Sequence, residues 1–229
     1  MSSFVNQQLI ESRRIHANPY ETLVYKVAKS PEELEGAARI VYSAFLKEGW
    51  ISPDSPDGSF TDTYDRMPST IRFIAVSPPQ IVGTIRCIRD PQNPRYHKVP
   101  VCVDGKLITK LPVEELIDLS NWRSQGRNIE QVGNLAVVEE ERGKGIIHGL
   151  FKCVYEDIIK NEIHNVFGWV NPKLERLLRH IGFETLYEGM FRLDRESPLV
   201  PVLVTHLDTS RINKDYLEYL SKLRLNFQL

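Results

Sequence analysis

The run from Val132 to Leu150, VGNLAVVEEERGKGIIHGL, places an apolar strand directly before a glycine-rich turn and an amphipathic helix. No other segment constrains the fold as strongly, because a strand end, two closely spaced glycines and a helix N-terminus together make an anion-binding corner. Gly143 and Gly145 let the backbone approach an anion closely. The first free N–H groups of the following helix, at its positive dipole end, then point at that anion. Arg142 and Lys144 add cationic charge, which suits a pyrophosphate better than a neutral ligand. The turn is not a P-loop, since no Gly-Lys-(Ser or Thr) ending is present. It is not a dinucleotide fingerprint either, since G-x-G-x-x-G fails at His148.

Composition narrows the class. A chain of 229 residues with 41% hydrophobic and 26% charged content is ordinary globular material, able to bury about 70% of its unfolded surface as one extended domain. A formal net charge of −1 supplies no global basic field for nucleic acid or an anionic membrane. Cys87, Cys102 and Cys153 are odd in number and lack metal or disulfide spacing, which fits a reducing compartment. The N-terminus is polar, and no run of about 18 apolar residues marks a signal peptide or membrane span. A cytoplasmic protein is expected. His97, His180 and His206 show no ligand spacing, so no metal is expected.

Patterning predicts an α/β order. A loose arm over residues 1–20 precedes a strand at Thr22–Val27. Ser30, Pro31 and Glu33 spell a helix start with a capping box, and apolar residues from Leu34 to Phe45 continue it. A loop spans Gly49 to Gly58. Arg72–Val76 and Gln80–Ile88 read as antiparallel strands joined at Ser77-Pro78-Pro79. Residues 90–122 read as a long insertion with a short helix near Val113–Leu119, a length that points to function. There follow a strand at Ile129–Val138, a helix at Ile146–Ile159, a strand at Asn165–Val170 and a helix at Lys173–His180. Further strands are expected over 185–208, with Pro201–Thr205 the clearest, and a packing helix over Arg211–Arg224. The implied organisation is an arm (1–20), one domain (21–209) and a C-terminal helix (210–229).

Glu140-Glu-Arg-Gly-Lys-Gly145 resembles the pyrophosphate motif (Gln or Arg)-x-x-Gly-x-(Gly or Ala) of the GCN5-related N-acyltransferase (GNAT) superfamily, with Glu140 departing from its first residue. Asn171 to Phe183 resembles that family's later segment, where an Asn opens a helix beside the cofactor and Gly-Phe closes it. Four further groups narrow the likeness. Phe45-Leu-Lys-Glu-Gly-Trp50, Asp62-Thr-Tyr-Asp65, Gly83-Thr-Ile-Arg86 and Gln131-Val-Gly-Asn-Leu-Ala-Val137 are similar to the F-x(n)-G-W, D-x-x-D, G-x-x-R and E-x-S-R-x-x-V segments of acyl-homoserine lactone synthases and long-chain N-acyl amino acid synthases. The resemblance covers roughly residues 22 to 208. It implies a mixed, mostly antiparallel central sheet, flanked by helices and splayed at the acyl-donor site. It also implies N-acyl transfer, of a medium or long chain, from a CoA or acyl-carrier-protein thioester to the amine of an amino acid or related small molecule.

The same resemblance implies a site. The donor would lie along Leu135, Ala136 and Val137, with its phosphates on Arg142, Gly143, Lys144, Gly145 and Ile146 and with Asn171 beside it. Trp50, Asp62 and Trp122 would line the substrate pocket, and Arg86 would hold an amino-acid carboxylate. Arg86 is equally readable as an ion-pair partner of a buried carboxylate, and Asp62 and Asp65 as turn residues. Gln131 and Asn134 stand where the synthases carry Glu and Arg, so the general base is absent from its matching position. Glu130 is adjacent, but strand alternation points it to the opposite face unless a bulge intervenes. Asp62 and Asp65 are the alternative carboxylates. Leu178 stands where acetyltransferases often carry a Tyr that protonates the leaving thiolate. Cys87 lacks a paired base as a nucleophile. Recognition of a carrier protein would need a basic patch, for which Arg95, Lys98, Arg142, Lys144 and Lys152 are candidates. Two other readings stay open: an acetyl-CoA-dependent N-acetyltransferase and a non-catalytic acyl-CoA sensor.

Overall fold

The computed structural model describes residues 23–51, 53, 58–89, 98–103, 106–112, 119–191, 200–223 and 225–228. The expected arm and nearly all of the short helix at Val113–Leu119 lie outside them. In chain order the elements are β1 (Val24–Val27), α1 (Pro31–Lys47), a 3-10 turn (Thr63–Arg66), β2 (Thr70–Ser77), β3 (Gln80–Arg89), β4 (Lys98–Val103), β5 (Lys106–Pro112), α2 (Leu119–Ser124), β6 (Asn128–Val137), α3 (Ile146–Lys160), β7 (Ile163–Val170), α4 (Glu175–Ile181), β8 (Glu184–Phe191), β9 (Val200–Asp208), α5 (Lys214–Lys222) and β10 (Asn226–Gln228).

Helix α1 begins where its sequence directs. The Ser30 hydroxyl accepts from the Glu33 N–H at 3.2 Å, and the Glu33 carboxylate accepts from the Ser30 N–H at 3.2 Å, so two donors that a bare helix start leaves unpaired are satisfied together. The helix buries Ala37, Ala38, Ile40 and Val41. Helix α3 buries a wider stripe that includes Leu150, Phe151, Val154 and Ile158, each such side chain contributing about 1.5–3 kcal/mol.

The described strands form one sheet in the order β10-β1-β2-β3-β6-β7-β9-β8-β4-β5. All neighbours are antiparallel except β1 with β10 and β6 with β7. The larger core packs α3, α4 and α5 on one face, over Tyr25, Phe73, Ile85, Cys87 and Val166. On the other face Trp50, Ile129, Phe167, Val202 and Val204 form a second cluster, while Ile40 and Val41 of α1 pack on Ala136. The expected mixed, mostly antiparallel sheet flanked by helices is therefore observed.

Two segments differ from expectation. The insertion is no bare loop: β4 and β5 pair as a hairpin and join the sheet edge through β8. Pro100 and Pro112 obscured the strand pattern, and prolines are tolerated in strands chiefly at sheet edges. The C-terminal helix is shorter than expected, ends at Lys222, and is followed by a strand that pairs with β1.

The centre of the sheet is open. Strands β6 and β7 pair from Asn128↔Ile163 to Gln131↔Phe167, and among the described residues no pairing continues to Val137 and Val170. A Cβ built on Gly168 would lie 2.3 Å from the Val132 carbonyl oxygen, so the strands touch most closely just where pairing stops. On the β3 side of β6 the register runs from Arg86↔Gly133 to Thr84↔Ala136, which leaves one extra residue in β6. Asn134, at φ 49°, absorbs this bulge in a conformation that a non-glycine residue adopts at a cost. Gly168→Ala is expected to force the strands apart at this point, lowering stability by about 1–3 kcal/mol; a urea midpoint equal to that of the unsubstituted protein would refute the close approach.

Candidate active site

The open edge of β6 leads into the glycine turn. Gly143 and Gly145 sit at φ 80° and 78°, the left-handed region that other residues occupy only with strain. Gly145 is the N-cap of α3 and offers no capping side chain; the His148 N–H folds back onto the Gly145 carbonyl at 2.9 Å, which leaves the N–H groups of Ile146 and Ile147 as the orphan donors of the first turn. The side chains contribute less free charge than the composition of the turn suggests. The Lys144 ammonium lies 2.9 Å from Glu141, and Arg142 Nε donates to the Val137 carbonyl at 3.3 Å. The backbone is therefore the principal anion donor here, as in other helix N-termini.

Asn171 closes the opposite lip at the end of β7. Its Oδ1 accepts from the Lys173 N–H at 3.0 Å, and its Nδ2 donates to Glu48 Oε2 at 3.1 Å. Lys173 Nζ donates to the same Glu48 oxygen at 2.6 Å. On the β6 side, Lys47 is bonded to Glu139. The C-terminus of α1 thus reaches both lips of the cleft through two adjacent residues.

On the α1 face, Arg72 and Arg86 stand directly opposite each other on β2 and β3. The Asp62–Asp65 pair covers them. It is the capping box of the 3-10 turn, with Asp62 Oδ1 accepting from the Tyr64 N–H at 2.9 Å and Asp65 Oδ2 from the Asp62 N–H at 3.0 Å. The same two carboxylates meet the guanidiniums, Asp62 Oδ1 serving both the cap and Arg86. Arg86 Nη1 and Nη2 donate to Asp62 at 2.7 and 2.9 Å, Nη1 also to Asp65 at 3.0 Å, and Arg72 pairs with Asp65. Burial alone would raise Asp65, but Arg72 and Arg86 outweigh it and hold the carboxyl below its ordinary value. Burial likewise opposes the charge on Arg86, and Asp62 more than restores it, leaving Arg86 raised. Asp62 keeps more exposure than Asp65, 27% against 16%.

Glu130 lies on the other face, as strand alternation requires; the bulge falls beyond it and does not turn it round. It is fully buried, pairs across the ladder with Arg89, and neither of its oxygens has a hydrogen-bond partner among the described residues. Burial, and then the charge of Asp157, push its carboxyl up to about 8. Arg89 Nε stands 4.0 Å away but is committed to Asp157. Burial and then Glu130 raise the Cys87 thiol far above its ordinary value, which removes the thiolate a nucleophile would need.

The sequence-derived residues therefore fall into separate groups. Arg86, Asp62, Asp65 and Gln131 share the α1 face; Trp50 and Trp122 pack in the aromatic cluster beside them, Trp122 stacking on His206 at 4.8 Å between centroids. Asn134, Leu135, Ala136 and Val137 line the open edge of β6 and lead to Arg142–Ile146. Leu178 is buried in the core under α4. Lys152 of the proposed basic patch donates to the Leu223 carbonyl, and the side chains of Arg95 and Lys98 lie outside the described residues. Sequence reading missed Arg72 and Glu48. Arg72 had a signal, since its strand pairs it in register with Arg86, but Glu48 meets Asn171 only through the fold.

Two outcomes follow. Asp65→Asn leaves two buried guanidiniums short of a counter-charge and should cost about 3–5 kcal/mol. Because the Asp65 carboxyl is lowered in the folded state, its stabilisation is present above the unfolded value and is lost as pH falls through the folded one, so acid unfolding of the variant should lack that part of the slope. Glu130 has the opposite sign. Its folded carboxyl holds a proton that the unfolded chain releases, so stability should fall as pH rises from about 4.5 towards about 8. Glu130→Gln should flatten that decline in denaturant midpoints; an unchanged slope would refute the assignment.

The family model for the N-acyl amino acid synthase FeeM matches residues 36–204. No curated protein matches the chain. Among solved structures, FeeM, an N-acyl amino acid synthase from uncultured soil microbes, superposes with TM-score 0.59 at 20% identity, over 82% of this chain and 91% of that one. BjaI, a CoA-dependent acyl-homoserine lactone synthase solved with MTA, gives TM-score 0.60 at 17% identity over 90% and 92%. An N-acetyltransferase fold from Lactobacillus plantarum gives TM-score 0.52 at 14% identity over 82% and 99%. At these identities the structural likeness establishes the GNAT fold. With three quarters of its length inside the family model, the chain belongs to the FeeM N-acyl amino acid synthase family and is an N-acyltransferase.

Proposed function

We propose that this protein transfers an acyl group of medium or long chain from acyl-CoA to the amine of an α-amino acid, with residues 21–209 as the transfer unit and 210–229 packed against it. The observation that carries the reading is the parting of β6 from β7 beside a glycine turn with free N–H groups. An extended amide-bearing arm needs an unpaired strand edge, and a pyrophosphate needs a helix N-terminus. Leu135, Ala136 and Val137 supply the first, and Arg142, Gly143, Lys144, Gly145 and Ile146 the second. Of these groups the Arg142 N–H, the Lys144 N–H and the Val137 carbonyl already have partners, at Glu139, Glu141 and Arg142 Nε, so the donor is met first by the backbone of Gly143, Gly145 and Ile146.

In this reading the amine attacks the thioester carbonyl, a C–N bond forms and the C–S bond breaks. A strand N–H near the Asn134 bulge polarises the carbonyl oxygen. The ammonium loses one proton before attack and the nitrogen a second as the C–N bond forms; both pass to solvent, since Asp62 and Asp65 on the acceptor face are ion-paired with Arg86 and Glu130 stands behind the sheet. The thiolate leaves without a tyrosine at Leu178 and is protonated by water. Trp50 and Trp122 wall the acceptor side, and Asn171, held by Glu48, steadies the far lip.

CoA is favoured over a carrier protein as donor. The turn carries Glu139, Glu140 and Glu141 beside Arg142 and Lys144, and Lys144 is neutralised by Glu141, so among the described residues the turn offers little net positive charge to an acidic carrier. A thiol-release assay over acyl-CoA donors from acetyl to palmitoyl with pooled amino acids tests the reading. Turnover should favour the longer donors, and Gly145→Ala should raise the donor KM by about tenfold or more. Turnover with acetyl-CoA alone would replace this reading with an acetyltransferase, and donor binding without turnover would replace it with an acyl-CoA sensor.

A further inference from the structure

We propose that Gly133 sets acceptor specificity: the space over its Cα receives the acceptor's side chain, while Arg86 Nε and Gln131 Oε1 read the carboxylate and the ammonium on either side. The inference rests on the acyl-transfer reading for the identity of the ligand and on the following geometry for its place.

Gly133 faces the α1 side of β6. It stands opposite Arg86 in the β3 ladder, and Gln131, two residues earlier on the same face, stands opposite Ile88. A Cβ built on Gly133 meets no atom within 4 Å among the described residues. The backbone does not demand glycine there, since Gly133 is not among the positive-φ positions. In a sheet whose neighbouring positions are packed, this is a gap at the point where the donor cleft opens. Its far wall is aromatic: Phe167 pairs with Gln131 across the last β6–β7 rung, and Trp169 follows on the same face.

Two buried polar residues border Gly133 in the sheet, Arg86 across the ladder and Gln131 along β6, and each has a side-chain atom without a partner among the described residues. Arg86 is 4% exposed and its two Nη atoms are taken by Asp62 and Asp65, but its Nε has no acceptor. Gln131 is 4% exposed and its Oε1 has no donor. A buried N–H or carbonyl left unpaired costs about 1–3 kcal/mol, so a ligand that supplies both partners recovers that cost. An α-amino acid does so, because its carboxylate accepts from Nε–H and its ammonium donates to Oε1. The formal charge agrees. Arg72 and Arg86 are matched by Asp62 and Asp65, and Gln131 is neutral, so the site suits a net-neutral zwitterion better than a lone cation, which would bring an uncompensated charge into it.

The test is equilibrium binding by calorimetry of glycine, alanine, leucine and phenylalanine, and of the amide of each, to the full chain, run beside thiol-release assays. The unsubstituted protein should bind leucine and phenylalanine about tenfold or more tighter than their amides. In Gly133→Ala the loss of affinity should grow with side-chain size, and Gly133→Ser should repeat the trend should the alanine variant misfold. Gln131→Glu should erase the preference for the free carboxylate. Equal binding of acids and amides, or a Gly133→Ala loss independent of side-chain size, would overturn the assignment. The size-dependent pattern without thiol release would instead sink the acyl-transfer reading and leave the acceptor pocket standing, whereas thiol release without the pattern would sink this inference alone.

Discussion

Strands β6 and β7 run parallel, share their pairing only up to Gln131 and Phe167, and then separate. An unpaired strand edge inside a sheet is unfavourable, because each N–H and C=O it exposes must find another partner or remain solvated. Three local features shape this edge. Gly168 meets the Val132 carbonyl at the vertex, Asn134 takes up an extra residue in a left-handed conformation, and α1 packs across the gap on one face. Helices α3 and α4 cover the other face, so the opening is a cleft with a floor.

The two faces of β6 have different electrostatic characters. On the α1 side, four charges are arranged so that each guanidinium meets at least one carboxylate, and the geometry is doubly secured by the capping box of the 3-10 turn. On the α3 side, Glu130 is buried beside another carboxylate and an already engaged arginine. Buried charge pairs are weak contributors to net stability yet costly to break, which fits the first arrangement as a rigid frame. The second is a liability at neutral pH that the hydrophobic core around α3 must offset.

Much of this was legible in residues. The strand, glycine turn and helix around Gly143 follow from local backbone chemistry, and so does α1, whose start signal is complete within Ser30–Glu33. Alternation placed Glu130 behind the sheet. What escaped were features decided at long range. The β4–β5 hairpin contains prolines that obscure its period, and β10 is three residues long, too short for any pattern. Glu48 meets Asn171 only because α1 crosses the cleft, 123 positions away along the chain. Arg86 admitted two readings from sequence, and the structure commits its Nη atoms to Asp62 and Asp65 while leaving Nε unpartnered among the described residues.

The tie between α1 and the two lips has a mechanical corollary. Lys47 holds the β6 side through Glu139, and Glu48 holds the β7 side through Asn171 and Lys173. Neighbouring residues of opposite sign on one helix end therefore act as the two arms of a caliper, and because the ion pairs in it are largely exposed, each a weak tie, the caliper guides the opening rather than fixing its width. Trp50 follows directly after this helix end and packs in the aromatic cluster with Phe167 and Val202, so the terminus that touches both lips also anchors the wall on the α1 face.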